Sequence, residues 1–141
     1  MSQAFHRCDR TLARCRAWIV HIAAKRLPRV VDETLRHFDG KRLALISSIV
    51  MPNHIHALLV QHPEYSLEDL LHSWKTFTSR TINRLLGHSG TLWQRSYFDR
   101  LVRDEKHFRN CVRYIRRNPE KAYLVAGEYI LYESDVAKAI G

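Results

Sequence analysis

His54 and His56 stand two residues apart in the run Val50-Met51-Pro52-Asn53-His54-Ile55-His56-Ala57-Leu58-Leu59-Val60. On a β-strand this spacing projects both imidazoles from one face, close enough to hold one divalent metal between them. An H-x-H pair is by itself more often a surface or satisfied core pair. The apolar flanks raise the stakes here, because two imidazoles on a hydrophobic hairpin are costly to bury without partners. Tyr114 and Asn118 are i and i+4, neighbours on the surface of a helix. With about 100° of rotation per residue from Phe108, the side chains of His107, Cys111, Tyr114 and Asn118 fall together on one flank. The pair offers a phenol nucleophile beside a neutral oxygen ligand. Each also has a purely structural reading, Tyr114 as a rim aromatic on the sheet and Asn118 as a helix C-cap before Pro119. Arg113, Arg116 and Arg117 surround the tyrosine, where guanidinium groups can hold a scissile phosphate or form a solvated helix face.

A second set of residues interleaves basic and aromatic character in the manner of surfaces that bind single-stranded nucleic acid. Lys75, Arg80, Trp93, Gln94 and Arg95 are the candidates for DNA contact, while Trp74 is assigned to the core. The chain has no P-loop, G-x-G-x-x-G, G-x-S-x-G or H-E-x-x-H pattern, which sets aside nucleotide hydrolysis and ordinary serine or zinc hydrolase chemistry. Metal and tyrosine chemistry are left. Cys8, Cys15 and Cys111 match neither a zinc ligand set nor a disulfide framework and read as reduced thiols.

These residues must be positioned by one domain, since 141 residues with 45% hydrophobic and 26% charged composition can bury a single core. No apolar run approaches the length of a membrane span and the N-terminus lacks a signal-peptide core, so a soluble, cytoplasmic protein is expected. Lys plus Arg number 23 against 14 Asp plus Glu, a formal charge of +9 that suits a polyanionic partner. Residues 1–16 carry Arg7, Arg10, Arg14 and Arg16 against Asp9 and are expected to form a mobile basic arm or a short helix, leaving 17–141 as the domain.

Along that domain, the β-branched and aromatic run Trp18 to Ile22 predicts a strand. A helix follows from Pro28 to a stop at Gly40. Leu43 to Val50 and His54 to Val60 predict a hairpin through the turn Met51-Pro52-Asn53. Ser66 caps the clearest helix, with Leu67, Leu70, Leu71, Trp74, Phe77, Thr78, Ile82 and Leu85 on one face and Gly87 as its end. Tyr97 to Val102 predicts a fourth strand, and Asp104 caps a last helix stopped by Asn118-Pro119. The order β-α-β-β-α-β-α predicts an α+β, ferredoxin-like split βαβ fold: a four-stranded antiparallel sheet with helices packed on one face. The run Gly127 to Tyr132 is expected to add an edge strand or fold back over the site.

The hairpin run, the stretch Ser73-Trp74-Lys75-Thr76-Phe77-Thr78, the stretch Leu92-Trp93-Gln94-Arg95-Ser96-Tyr97-Phe98-Asp99-Arg100, and Tyr114-Ile115-Arg116-Arg117-Asn118-Pro119-Glu120-Lys121-Ala122 together resemble the REP-associated tyrosine transposases. These belong with the single-tyrosine HUH transposases of small bacterial insertion sequences. The resemblance runs from about residue 18 to the C-terminus in unbroken order. It implies a ferredoxin-like fold and an endonuclease and strand-transferase acting on single-stranded DNA near hairpins, as a monomer or homodimer. By the same resemblance, His54, His56 and Asn118 bind Mg²⁺ or Mn²⁺, and Tyr114, on the C-terminal helix, forms a 5′-phosphotyrosine link. Two rivals remain open at this point: a domesticated, non-catalytic binder of structured nucleic acid, and a metal phosphodiesterase with a water nucleophile. Tyr123 stands where many relatives have Gly.

Overall fold

The computed structural model describes residues 15–22, 28–87, 89–90 and 92–141, with the backbone alone for residues 20–22 and 94–98. Five strands are described, β1 (Cys15–Ile22), β2 (Leu43–Val50), β3 (His54–Gln61), β4 (Trp93–Leu101) and β5 (Ile130–Glu133). The helices are α1 (Pro28–His37), α2 (Leu67–Leu86), α3 (Glu105–Lys121) and the short α4 (Asp135–Lys138). The sheet order is β4-β1-β3-β2-β5, and all four pairings are antiparallel. The first four strands are the ferredoxin-like sheet expected, and β5 adds to the outer side of β2. The expected basic arm lies almost wholly outside the described residues, and β1 begins at Cys15.

The helices cover both faces, where one face was expected. Trp18, Ile55, Ala57 and Leu59 pack under α1 and α2 with Val31, Leu35, Leu70, Leu71 and Trp74. Ala17, Ile46, Ile49 and Leu58 pack under α3 with Phe108, Val112 and Ile115. The cause is legible in β3: Ala57, Leu58, Leu59 and Val60 are apolar at both parities, so neither face of the strand can be left to water. In β2 ordinary alternation puts Leu45 and Ile46 on opposite faces, and a register shift between Leu45 and Ser47 inverts the parity beyond it, so Ile49 joins Ile46 under α3 while Val50 returns to the α1/α2 core.

Local chemistry sets the element ends. Ser66 Oγ accepts the Asp69 N–H at 3.1 Å to start α2, and Gly87 ends it in the left-handed region at φ 64°. Within α2 the Thr78 hydroxyl donates to the Trp74 carbonyl at 2.9 Å and accepts from Trp93 Nε1 at 2.9 Å. This satisfies a buried indole and ties β4 to the helix. Phe77 and Leu85, expected in the core stripe, are instead 43% and 60% exposed, because they sit at the edge of an apolar arc that the sheet does not reach across.

Helix α3 starts where expected, with Asp104 Oδ1 accepting the His107 N–H at 2.7 Å. It does not stop at Asn118-Pro119, however, but runs to Lys121 with Pro119 inside and buried. It closes with the Tyr123 N–H donating to the Glu120 carbonyl at 3.1 Å and the Leu124 N–H to the Pro119 carbonyl at 2.9 Å. This is the Schellman arrangement, whose left-handed position is usually glycine. Tyr123 fills it at φ 55° and is 93% exposed, so its side chain gains little packing to offset the strain. Tyr123→Gly is therefore expected to stabilise the fold by about 1 kcal/mol, or roughly 3 °C in Tm, as a thermal melt will show.

Candidate active site

β3 is the central strand, and His56 lies between Ile19 of β1 and Ile49 of β2 in the sheet registers. The parity that sends Ile55 into the α1/α2 core sends His54 and His56 to the α3 face. His56 is 6% exposed, and its Nδ1 is buried with no hydrogen-bond partner among the described residues. Burial, and next the charge of His54, hold its imidazole down to about 4, so it is neutral at physiological pH with a lone pair to offer. His54 is partly exposed, and its Nδ1 lies 2.8 Å from Asn53 Oδ1, the kind of outer contact that orients a ligating imidazole to use Nε2.

From α3, Tyr114 reaches the same place. Its ring meets His56 edge to face, with centroids 5.3 Å apart and planes at 67°. The phenol is 45% exposed, open to a substrate on one side and packed on the imidazole on the other. Asn118, one turn further along α3, is buried. A cavity of about 390 Å³ opens here, lined by His56, Tyr114, Arg100, His107, Asn110 and Cys111 among others. The His107 ring accepts the Arg103 N–H at Nδ1 over 3.1 Å, which leaves Nε2–H as the donor of its neutral form. Burial, followed by the charges of Arg103 and Arg100, lowers its pKa. Burial raises that of the Cys111 thiol.

The other residues named from sequence divide. Trp93 is 4% exposed, with its ring centroid 4.6 Å from that of Trp74; it is a core residue and has no surface to offer DNA. Arg116, expected beside the phosphate, pairs with Glu133 at 2.9 Å and donates to the Ala137 carbonyl at 3.0 Å. Arg113 donates to the main-chain oxygen of Gly141 at 2.7 Å. Both arginines thus hold the segment after β5 against α3. Arg117 and Arg80 are exposed, and Lys75 is half-buried, with burial lowering its pKa. The side chains of Gln94 and Arg95 lie outside the described residues.

Sequence reasoning missed Lys121, whose Nζ sits 4.7 Å from the centre of the Tyr114 ring. The signal was present, since i and i+7 share a helix face, but a lysine past Asn118-Pro119 was read as beyond the helix. It also missed Arg100, which brings a cation to the cavity from β4. Among the described residues, no group of three or more His, Cys, Asp or Glu side chains is placed to hold a metal. The donor set expected from sequence, two imidazoles and an amide oxygen, would suit Mn²⁺ at least as well as Mg²⁺. The unpartnered, neutral Nδ1 of His56 fits such a ligand role.

His56 also sets a pH dependence. The native imidazole titrates near 4 and the unfolded one near 6.5, so between these values the unfolded chain binds more protons. The stabilisation is fully present above about pH 6.5 and is lost as pH falls toward 4, by up to about 3 kcal/mol. Urea denaturation of the metal-free protein at about pH 7 and pH 4.5 checks this, with the part of the slope due to His56 absent from His56→Leu.

The chain has known counterparts in sequence and in fold. The sequence model described as "Transposase IS200 like" matches residues 6–118, and the chain belongs to that family. The match begins inside the segment expected as a basic arm. Comparison with curated proteins gives no match. Among solved structures, one described as a REP-associated tyrosine transposase bound to a REP hairpin superposes with a TM-score of 0.65 at 18% identity, covering 92% of this chain and 82% of that one. Another, assigned as a transposase of Deinococcus radiodurans R1, gives a TM-score of 0.52 at 20% identity, covering 74% and 88%. The family is one of transposases, proteins that act on DNA, and no helix among the described residues is long and apolar enough to cross a membrane.

Proposed function

We propose that this chain is a metal-dependent endonuclease and strand-transferase of single-stranded DNA, acting near hairpins through a covalent 5′-phosphotyrosine intermediate. The observation that carries the reading is the edge-to-face contact of Tyr114 with a buried, neutral His56 in an open cavity that Arg100 also lines. A nucleophile, a ligand-grade nitrogen and a cation then share one site. The structure described as binding a REP hairpin supports the choice of DNA by likeness of fold and family.

His54, His56 and Asn118 would hold Mg²⁺ or Mn²⁺, which supplies Lewis-acid activation of the scissile phosphate when bound. The chain's own residues do the rest. Arg100 and Lys121 draw the phosphodiester into the cavity and balance its charge. The Tyr114 oxygen bonds to phosphorus as its phenolic proton leaves, the bond from phosphorus to the 3′-oxygen breaks, and that oxygen takes up a proton as the free 3′-hydroxyl. The phosphotyrosine ester keeps the energy of the broken linkage, so an incoming 3′-hydroxyl reverses the step and joins new DNA without ATP. In this reading the basic arm and the domain after it act as one unit.

The test is a denaturing gel of the full chain with a labelled single-stranded hairpin in Mn²⁺ or in chelator. A metal-dependent adduct that peptide mapping places on Tyr114 is the expected result. Cleavage with no attached protein would instead establish a water nucleophile, and hairpin binding with neither would mark a non-catalytic relative.

A further inference from the structure

On the opposite face of the sheet from Tyr114, a second cavity of about 420 Å³ lies between the end of α1 and the middle of α2, with walls that include His37, Phe38, Arg42, His72, Phe77 and Arg80. Its chemistry differs from a core gap. The Phe77 ring is 43% exposed, and His37 stacks on it nearly parallel, with planes 5° apart and centroids 5.6 Å apart. Phe38 meets Phe77 edge to face at 6.3 Å. The Arg42 guanidinium lies 5.4 Å from the ring centres of both Phe38 and Tyr65. Arg80 stands one turn from Phe77 on the same helix. None of the residues lining the cavity is acidic, and no carboxylate among the described residues pairs with Arg42 or Arg80.

An open aromatic face flanked by two arginines without acidic partners is complementary to a flat ring carried between phosphates. We infer that this cavity binds an unpaired nucleobase of single-stranded nucleic acid, stacked on Phe77 and His37, with the adjoining phosphates held by Arg42 and Arg80. The inference rests on the reading of the chain as a DNA-acting protein but assigns a site that the nicking chemistry does not use. Because the sheet separates the two cavities, a strand engaged in both must pass around its edge. The second site therefore grips DNA at a distance from the cut and holds it in register.

The experiment uses the full chain and a labelled oligothymidylate, with fluorescence anisotropy for affinity and iodouracil photo-cross-linking for position. Phe77→Leu is expected to weaken binding about tenfold, the effect of losing one stacked base, and to remove a cross-link in the peptide containing Phe77. Arg80→Gln, at an exposed position where folding is not at issue, is expected to weaken binding and reduce its salt dependence. Affinity and cross-links indifferent to both substitutions would overturn the inference, as would no binding of the oligonucleotide by the parent, or capture of polyglutamate in its place. The adduct assay runs in parallel. Binding that depends on Phe77 without any adduct would support this site while removing the nuclease reading, and an adduct with indifferent binding would do the reverse.

Discussion

Tyr114→Phe is expected to yield no covalent protein–DNA species and to lower metal-dependent nicking by at least about three orders of magnitude, as removal of a covalent nucleophile does elsewhere. The substitution deletes only the phenolic oxygen. The ring keeps its contact with His56 at 5.3 Å and its place under Lys121, so the surrounding site is undisturbed. Since the ring is 45% exposed, stability should change by no more than about 0.5 kcal/mol. A single-turnover gel and a thermal melt on the same preparation separate the two effects. Nicking that survives in the Phe variant at parental rate, with no adduct in either protein, would replace the tyrosine mechanism by water attack.

His56→Leu should separate stability from activity in the opposite sense. The parent holds an imidazole with 6% exposure whose Nδ1 finds no hydrogen-bond partner among the described residues, an arrangement that costs free energy in the metal-free fold. Leucine has nearly the same bulk and no polar atom, and its neighbours Ile19 and Ile49 are apolar. In chelator the variant is expected to melt at or above the parental temperature. With Mn²⁺ its cleavage should fall by at least about a hundredfold, the several kcal/mol that a catalytic cation supplies. A histidine kept for packing would give the reverse, a lower Tm with cleavage retained, and calorimetric titration of Mn²⁺ into both proteins distinguishes the cases directly.

Most of the scaffold was legible because its signals are local. Alternating and β-branched runs, Ser66, Gly87 and Asp104 each act within a few residues, and β2 starts and ends where the sequence predicts. The pairing of His54 and His56 on one face follows from strand parity alone. The approach of Tyr114 to His56 was implied only by the family resemblance, because a sheet covered on one face would have left the histidines on the side away from the helices. What could not be read depended on partners distant in sequence. Trp93 mimics a base-stacking residue until Thr78 and Trp74 are seen to enclose it. Arg113 and Arg116 mimic phosphate ligands until Gly141, Glu133 and Ala137 take up their donors. Pro119 marks a helix end in most contexts, yet here the packing of α3 carries the helix through it. The covering of both sheet faces was visible in the unbroken apolar stretch Ala57-Leu58-Leu59-Val60, whose meaning lies in the absence of alternation.

The placement of β5 governs how copies of this chain can meet. A strand at the margin of a sheet carries a row of unsatisfied amide and carbonyl groups that another molecule can adopt as a template. Ser47 to Val50 of β2 would offer such a row, but Ile130 to Glu133 occupy it, and the Arg116–Glu133 ion pair fastens the occupant. Continuous sheet between two molecules through that margin would first require β5 to peel away. Among the described strands, self-association by strand addition is left to the outer side of β4 and to that of the four-residue β5.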